Sequence, residues 1–213
     1  MHITWYGLSC FKLQSKDLTI ITDPYGKESG LMPLRTKADI VFVSHNHSNH
    51  NNIDSIKNDP FVIDGPGEYE RKGIYVKGIA SFHDDKNGEE LGPNTIYIIE
   101  IEGIKVCHLG DLGHPLSSKQ VERIDKVDIL LAPVGENTTL EVDKLMDVIN
   151  EIDPRIVIPM HYKIPKVKDK LSPVGKFLSE IAQEKTKPEP KIVIKAKDLP
   201  SDETKVILLE NSR

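Results

Sequence analysis

The chain has 213 residues, 38% of them hydrophobic and 29% charged, with a formal net charge of −5. That length allows a full hydrophobic core, in one large domain or two small ones, and the composition is that of a well-solvated globular protein. The acidic balance provides no global basic field for nucleic acid. No apolar run nears the roughly 18 residues that cross a bilayer, and the first residues lack a signal-peptide pattern, so a cytoplasmic protein with no membrane partner is expected.

Residues 2–6, 10–14 and 18–23 read as short strands rich in Ile, Thr, Trp, Tyr and Phe, separated by turns at 7–9 and 15–17. The third ends at Asp23-Pro24, where Asp23 either caps a turn or orients a ligand in a nearby site. Residues 26–38 are irregular. The run 38–43 reads as a buried strand, 53–57 as a short helix and 61–64 as a strand, with a turn at 65–68. Strands are expected at 74–80, 94–101 and 104–109, the last two joined by Glu102-Gly103. The second half alternates: helix 118–124, strand 128–132, helix 139–152, strand 155–160 and helix 171–183. A Lys/Pro-rich linker at 185–191 leads to strands at 192–195 and 205–209. Many early strands followed by strand–helix alternation argue for mixed α/β layers. We expect a single domain over 1–213, built of two pseudo-symmetric halves meeting near residue 103. Cys10 and Cys107 lie far apart, each in an apolar run, and read as buried thiols rather than a disulfide framework.

The chemistry sits where strands end. Three of the eight histidines fall within six residues, as His45-Asn46-His47-Ser48-Asn49-His50, directly after the 38–43 run. A strand fixes where such a loop begins, and the loop can turn several imidazoles toward one point. In extended backbone, positions 45 and 47 project to the same side. His83, Asp111 and His161 also follow apolar runs and precede loops. If these ends share one sheet edge, five histidines and a bridging Asp111 would hold two adjacent ions. Ions roughly 3.5–4 Å apart can hold a hydroxide between them. Asp84 is either a turn residue or one that orients a ligand or water. His108 and Asp111 are expected to point to opposite faces of their strand. Lys163, Lys166, Lys168 and Lys170 follow His161 within ten residues. They read as a solvated loop, or as an electropositive rim for an anionic substrate in which Lys163 and Lys166 would take part.

These anchors, together with Gly7-x-Ser9-Cys10-Phe11, Thr22-Asp23-Pro24, Gly110-Asp111 and Pro159-Met160-His161, resemble the metallo-β-lactamase fold superfamily. Within it, they are similar to the small prokaryotic metal-dependent hydrolase branch that includes ascorbate-6-phosphate-lactonase-like proteins. The resemblance implies an α/β (α+β) fold, a four-layer αββα sandwich with the site at the edge between two sheets. It implies one metal on His45, His47 and His83, a second on His50, His161 and residue 49, and Asp111 bridging as the catalytic carboxylate. The cofactor would be one or two divalent ions, zinc foremost, with manganese or iron as other candidates. Two positions depart from the pattern: the usual Asp at position 49 is Asn49, and position 8, often His, is Leu8. The implied function is a metal-dependent hydrolase that uses a metal-bound hydroxide on an ester, lactone, amide or phosphodiester. Its partner would be a small, anionic substrate, and a homo-oligomer is compatible with the sequence. The rival reading, motivated by Asn49, is a non-catalytic binding or regulatory protein with a degraded metal site.

Overall fold

The computed structural model describes residues 1–16 and 18–212. Asp17, part of the turn expected at 15–17, lies outside them. Five strands open the chain: β1 (His2–Gly7), β2 (Cys10–Gln14), β3 (Thr19–Thr22), β4 (Ile40–Phe42) and β5 (Phe61–Ile63). With β12 (Ile192–Val193) they form a six-stranded sheet in the order β12-β1-β2-β3-β4-β5. The second sheet takes β6 (Gly67–Arg71), β7 (Ile74–Phe82), β8 (Pro93–Ile101), β9 (Ile104–His108), β10 (Ile129–Pro133), β11 (Ile156–Met160) and β13 (Lys205–Val206). Its order is β13-β11-β10-β9-β8-β7-β6.

Pairing follows connection length. The tight turns 7–9, 72–73 and 102–103 join antiparallel hairpins, whereas β9, β10 and β11 run parallel and are linked through α1 (Ser118–Ile124) and α2 (Val142–Ile152). Strands β4, β10 and β11 are buried along their whole length, as expected of parallel strands covered on both faces. The sheets stack face to face. Tyr97 on β8 reaches across to donate to the carbonyls of Val43 and Ile63, and its ring centroid lies 5.0 Å from that of Phe42. Helix α1 packs near β7, and α2 packs against α1 and α3 (Gly175–Glu180). This is the α/β sandwich that was expected. Among the described residues no helix is long and apolar enough to cross a membrane.

Local differences from the sequence reading have identifiable causes. The 65–68 turn yields at once to edge strand β6, whose mostly polar side chains hid a pattern that pairing with β7 fixes. The helix expected over 171–183 starts at Gly175, because Pro173 disfavours a helical Ser172. The backbone of Ser172 is instead spent on Gly135 and Lys163. Helix α2 begins at Val142 rather than at 139, and the segment expected to be helical at 53–57 is a single 3-10 turn, Ile53–Ser55. The last two strands are also shorter than 192–195 and 205–209.

Candidate metal centre

The strand ends of both sheets meet at one edge. Strand β4 delivers Ser44 and the loop His45–His50, β3 delivers Asp23, β7 delivers His83, β9 delivers Asp111 and β11 delivers His161. The backbone there is unusual. Leu8, Asp23 and His161 have φ of 49°, 39° and 52°, a left-handed region that non-glycine residues seldom occupy. Such strain persists only where the surroundings over-determine it, and it clusters at functional sites. Here the Leu8 carbonyl accepts the His161 N–H at 3.0 Å, so Leu8 serves the site through its backbone.

Asp111 lies at the centre and is 1% exposed. Its Oδ2 is 3.9 Å from His45 Nε2, 3.2 Å from His50 Nε2, 3.3 Å from His83 Nε2 and 3.2 Å from His161 Nε2. Its Oδ1 accepts from Ser9 Oγ at 3.1 Å, and its backbone N–H donates to Asn94 Oδ1 at 3.1 Å, so Ser9 holds the carboxylate and Asn94 the backbone that carries it. His47, half-buried, completes a group with His45 and His83 whose ligand atoms lie within 4.8 Å of one another, and His45, His50 and Asp111 make a second such group.

Beneath this cluster lies Asp23, fully buried. It accepts from Ser44 N at 2.7 Å, Ser44 Oγ at 2.8 Å and His108 Nε2 at 2.8 Å, and lies 3.3 Å from His50 Nδ1. The Ser44 hydroxyl proton is given to Asp23, so Ser44 Oγ accepts from His45 Nδ1 at 2.9 Å. That fixes the His45 tautomer and leaves the Nε2 lone pair facing Asp111. A carboxylate that orients imidazoles in this way is a recurrent support for metal ligands. His108 thus serves Asp23 and not the centre.

The remaining residues singled out in the sequence have other placements. Asp84 is turned into its own loop, accepting from the backbone N–H groups of Lys86, Gly88, Glu90 and Leu91 at 2.7–3.0 Å. Lys163 Nζ donates to the carbonyls of Val167 at 2.5 Å and Asp169 at 3.2 Å, clipping the loop after His161. Lys166 is exposed, and Asn49 is half-buried with Nδ2 donating to Asp169 Oδ2 at 3.3 Å. A cavity of about 530 Å³ opens beside His83 and Asp84, with Glu136, Lys144 and Lys176 also on its wall. A smaller one of about 330 Å³ is bordered by His47, Asn49 and Asp169.

Charge at the centre is set by burial and by the two carboxylates. Burial alone would raise Asp111, but His161 and His50 outweigh it and hold the carboxyl well below its ordinary range. Asp23 is depressed likewise: burial raises it, and His108 and His50 more than offset that. Burial lowers His50, yet Asp111 and Asp23 carry it up to about 10. Burial, reinforced by the charge on His50, pushes His45 down to about 2. With no ion at the centre, a protonated His50 is thus the cation between the two buried carboxylates, and a divalent ion bound there would take over that role. His45 Nε2, both nitrogens of His50 and both of His161 have no hydrogen-bond partner among the described residues. Buried polar atoms left so are rare and costly. Unpartnered imidazole nitrogens around a carboxylate are a donor set that fits a divalent ion such as zinc, manganese or iron.

Sequence reasoning missed Ser9, Ser44, Asn94 and His108 as supports of the cluster. Ser9 stood inside a motif already singled out and Ser44 directly precedes the histidine loop, whereas Asn94 and the Asp23–His108 contact have no local signal.

Comparison with known proteins agrees with the fold. Residues 2–161 match the family model described as "Beta-lactamase superfamily domain". The UPF0173 metal-dependent hydrolase of Thermoplasma acidophilum is 29% identical over 76% of this chain and 83% of its own length. A UPF0173 protein of Pyrococcus abyssi is 31% identical with the same 76% and 83% shares. A solved structure from Thermotoga maritima, of the metallo-β-lactamase superfamily, aligns with a TM-score of 0.79 and 36% identity, covering 98% of this chain and 99% of that one. With a matching model over most of its length and relatives of this likeness, the chain belongs to the β-lactamase superfamily domain family, in the small prokaryotic branch represented by the UPF0173 proteins.

Proposed function

We propose that the chain is a metal-dependent hydrolase acting on an ester, lactone, amide or phosphodiester of a small anionic substrate. The observation that carries this reading is the convergence of four imidazole Nε2 atoms on Asp111 Oδ2 at 3.2–3.9 Å. His45, His47 and His83 would hold one divalent ion, and His50 and His161 a second, with Asp111 between them and Asn49 beside the second. Zinc suits this set best, with manganese and iron as alternatives. Ions bound there supply Lewis acidity, which acidifies water and polarises a substrate oxygen.

The protein's own residues do the rest. Asp111, clamped by Ser9 and Asn94, orients the attacking water by accepting its proton toward Oδ2. Asp23 keeps His45 in the tautomer that ligates, through Ser44, and sets its charge 3.3 Å from His50 Nδ1. The cavity beside His83 gives the substrate room; its wall carries Lys144 and Lys176 among the carboxylates of Asp84, Asp85, Glu90, Glu136 and Glu141, so an anionic group would have to be met by those two lysines locally, with Lys166 as a further surface cation. Lys176 already pairs with Glu136, so Lys144 is the freer charge there.

The test is hydrolysis of a panel of aryl esters, lactones and phosphodiesters by zinc- or manganese-reconstituted protein, with and without chelator, beside Asp111→Asn. Chelator-sensitive turnover that Asp111→Asn abolishes supports the reading. Metal uptake without turnover on any of these would favour a binding protein on the same fold, the reading that Asn49 motivates.

A further inference from the structure

Position 49 departs from the family pattern, and the structure places a carboxylate against it. Asn49 Nδ2 donates to Asp169 Oδ2 at 3.3 Å. A carboxylate only accepts, so the contact fixes which way the amide is turned: Nδ2 toward Asp169, and Oδ1 on the other arm. Asp169 is itself held in place. Its carbonyl accepts from Lys163 Nζ at 3.2 Å and from the Leu171 N–H at 3.0 Å. The neighbouring Lys168 N–H is tied to the Ser29 carbonyl at 3.0 Å. Asn49, Asp169 and His47 border one cavity. His161 is 1% exposed, and both its ring nitrogens have no hydrogen-bond partner among the described residues.

We propose that Asp169 is a positioning residue for the second divalent ion. Its carboxylate turns the Asn49 amide so that Oδ1 serves as the ligand, and it supplies from a neighbouring loop the negative charge that position 49 lacks. The Asn49–Asp169 pair thus does in two residues what a single aspartate would do in one. A hydrogen bond from Nδ2 to an anion also polarises the amide and makes Oδ1 a better donor to a cation. The inference rests on the metal-centre reading above.

The test is zinc titration of the full chain against a chromophoric chelator, which resolves a tighter and a weaker binding event. It compares wild type, Asp169→Asn, Asn49→Asp and the double variant. Asp169→Asn should weaken the weaker event by about 10–100-fold, the usual loss when a residue behind a metal ligand is removed, and leave the tighter event unchanged. The unchanged tighter event shows that the fold is intact. In the Asn49→Asp background, Asp169→Asn should no longer weaken the weaker event, which a merely structural role for Asp169 would not predict. Equal affinities in wild type and Asp169→Asn overturn the inference, and so does a loss that persists in the Asn49→Asp background. A wild type that binds one ion also overturns it, while the metal-centre reading stands; binding of none removes both.

Discussion

Replacing Asp23 with Asn should unfold the protein at lower temperature even when no metal is present. Asp23 is fully buried and accepts three hydrogen bonds of 2.7–2.8 Å, two from Ser44 and one from His108, with His50 Nδ1 a further 3.3 Å away. An amide of the same shape keeps one oxygen, but turns an NH₂ group, which can only donate, toward groups that donate themselves. Hydrogen bonds to a charged group are worth about 1.5–3 kcal/mol each, and removing one partner of a buried charged set costs about 3–5 kcal/mol. Because the Asn oxygen still satisfies one donor, we take the low end, about 3 kcal/mol. For a chain of this length that is a fall of about 6–12 °C in Tm. The assay is thermal unfolding of both proteins in excess chelator, so that loss of metal cannot contribute. In metal titrations the same variant should bind about 10–100-fold more weakly, because His45 loses the Ser44–Asp23 relay that fixes its tautomer and His50 loses the charge beside it. Asp23→Asn melting within about 2 °C of wild type would refute the argument that this carboxylate organises the site.

Gly135→Ala should be strongly destabilising, since a Cβ there would meet the His161 carbonyl oxygen at 1.9 Å, whereas Gly175→Ala, with nothing within 4 Å, should be neutral or mildly stabilising; parallel Tm measurements separate the two. Tyr97→Phe leaves the Val43 and Ile63 carbonyls without their shared donor and should cost about 1–3 kcal/mol in denaturant unfolding. Asp84 is held down to about 2 from 3.8, first by the Leu91 N–H. A depressed carboxyl contributes stability above its unfolded pKa and loses it as pH falls toward the folded one. The 84–91 loop should therefore loosen between 3.8 and about 2, as amide exchange would show, and Asp84→Asn should flatten that dependence. Lys144→Ala should raise KM for an anionic substrate at low salt and less so at high salt; an unchanged KM would remove Lys144 from substrate recognition.

The fold was legible because its strands are short apolar runs bounded by turn residues, and because chemistry-bearing residues sit where those runs stop. The 38–43 run and the histidine loop behind it were readable for this reason, and so was helix α1, whose Ser117–Gln120 capping box marks its start. Strand β6 was not, since an exposed edge strand of Glu, Tyr and Arg carries little hydrophobic pattern and is defined by its partner. Among the site residues, His45 through His50 announce themselves by spacing. Asp169 does not: it lies among four lysines whose charge draws attention away from it, and its relation to Asn49 spans 120 positions and exists only in the fold. The opposite holds for Lys163, a cation in sequence that the structure spends on its own loop's carbonyls.

If the buried imidazoles around Asp111 hold divalent ions, elemental analysis of protein reconstituted with zinc or manganese and then freed of loosely bound metal should find them. About two ions per chain are expected, falling when His45 or His83 is replaced by Ala. A reconstituted, folded protein that retains no metal would contradict that expectation.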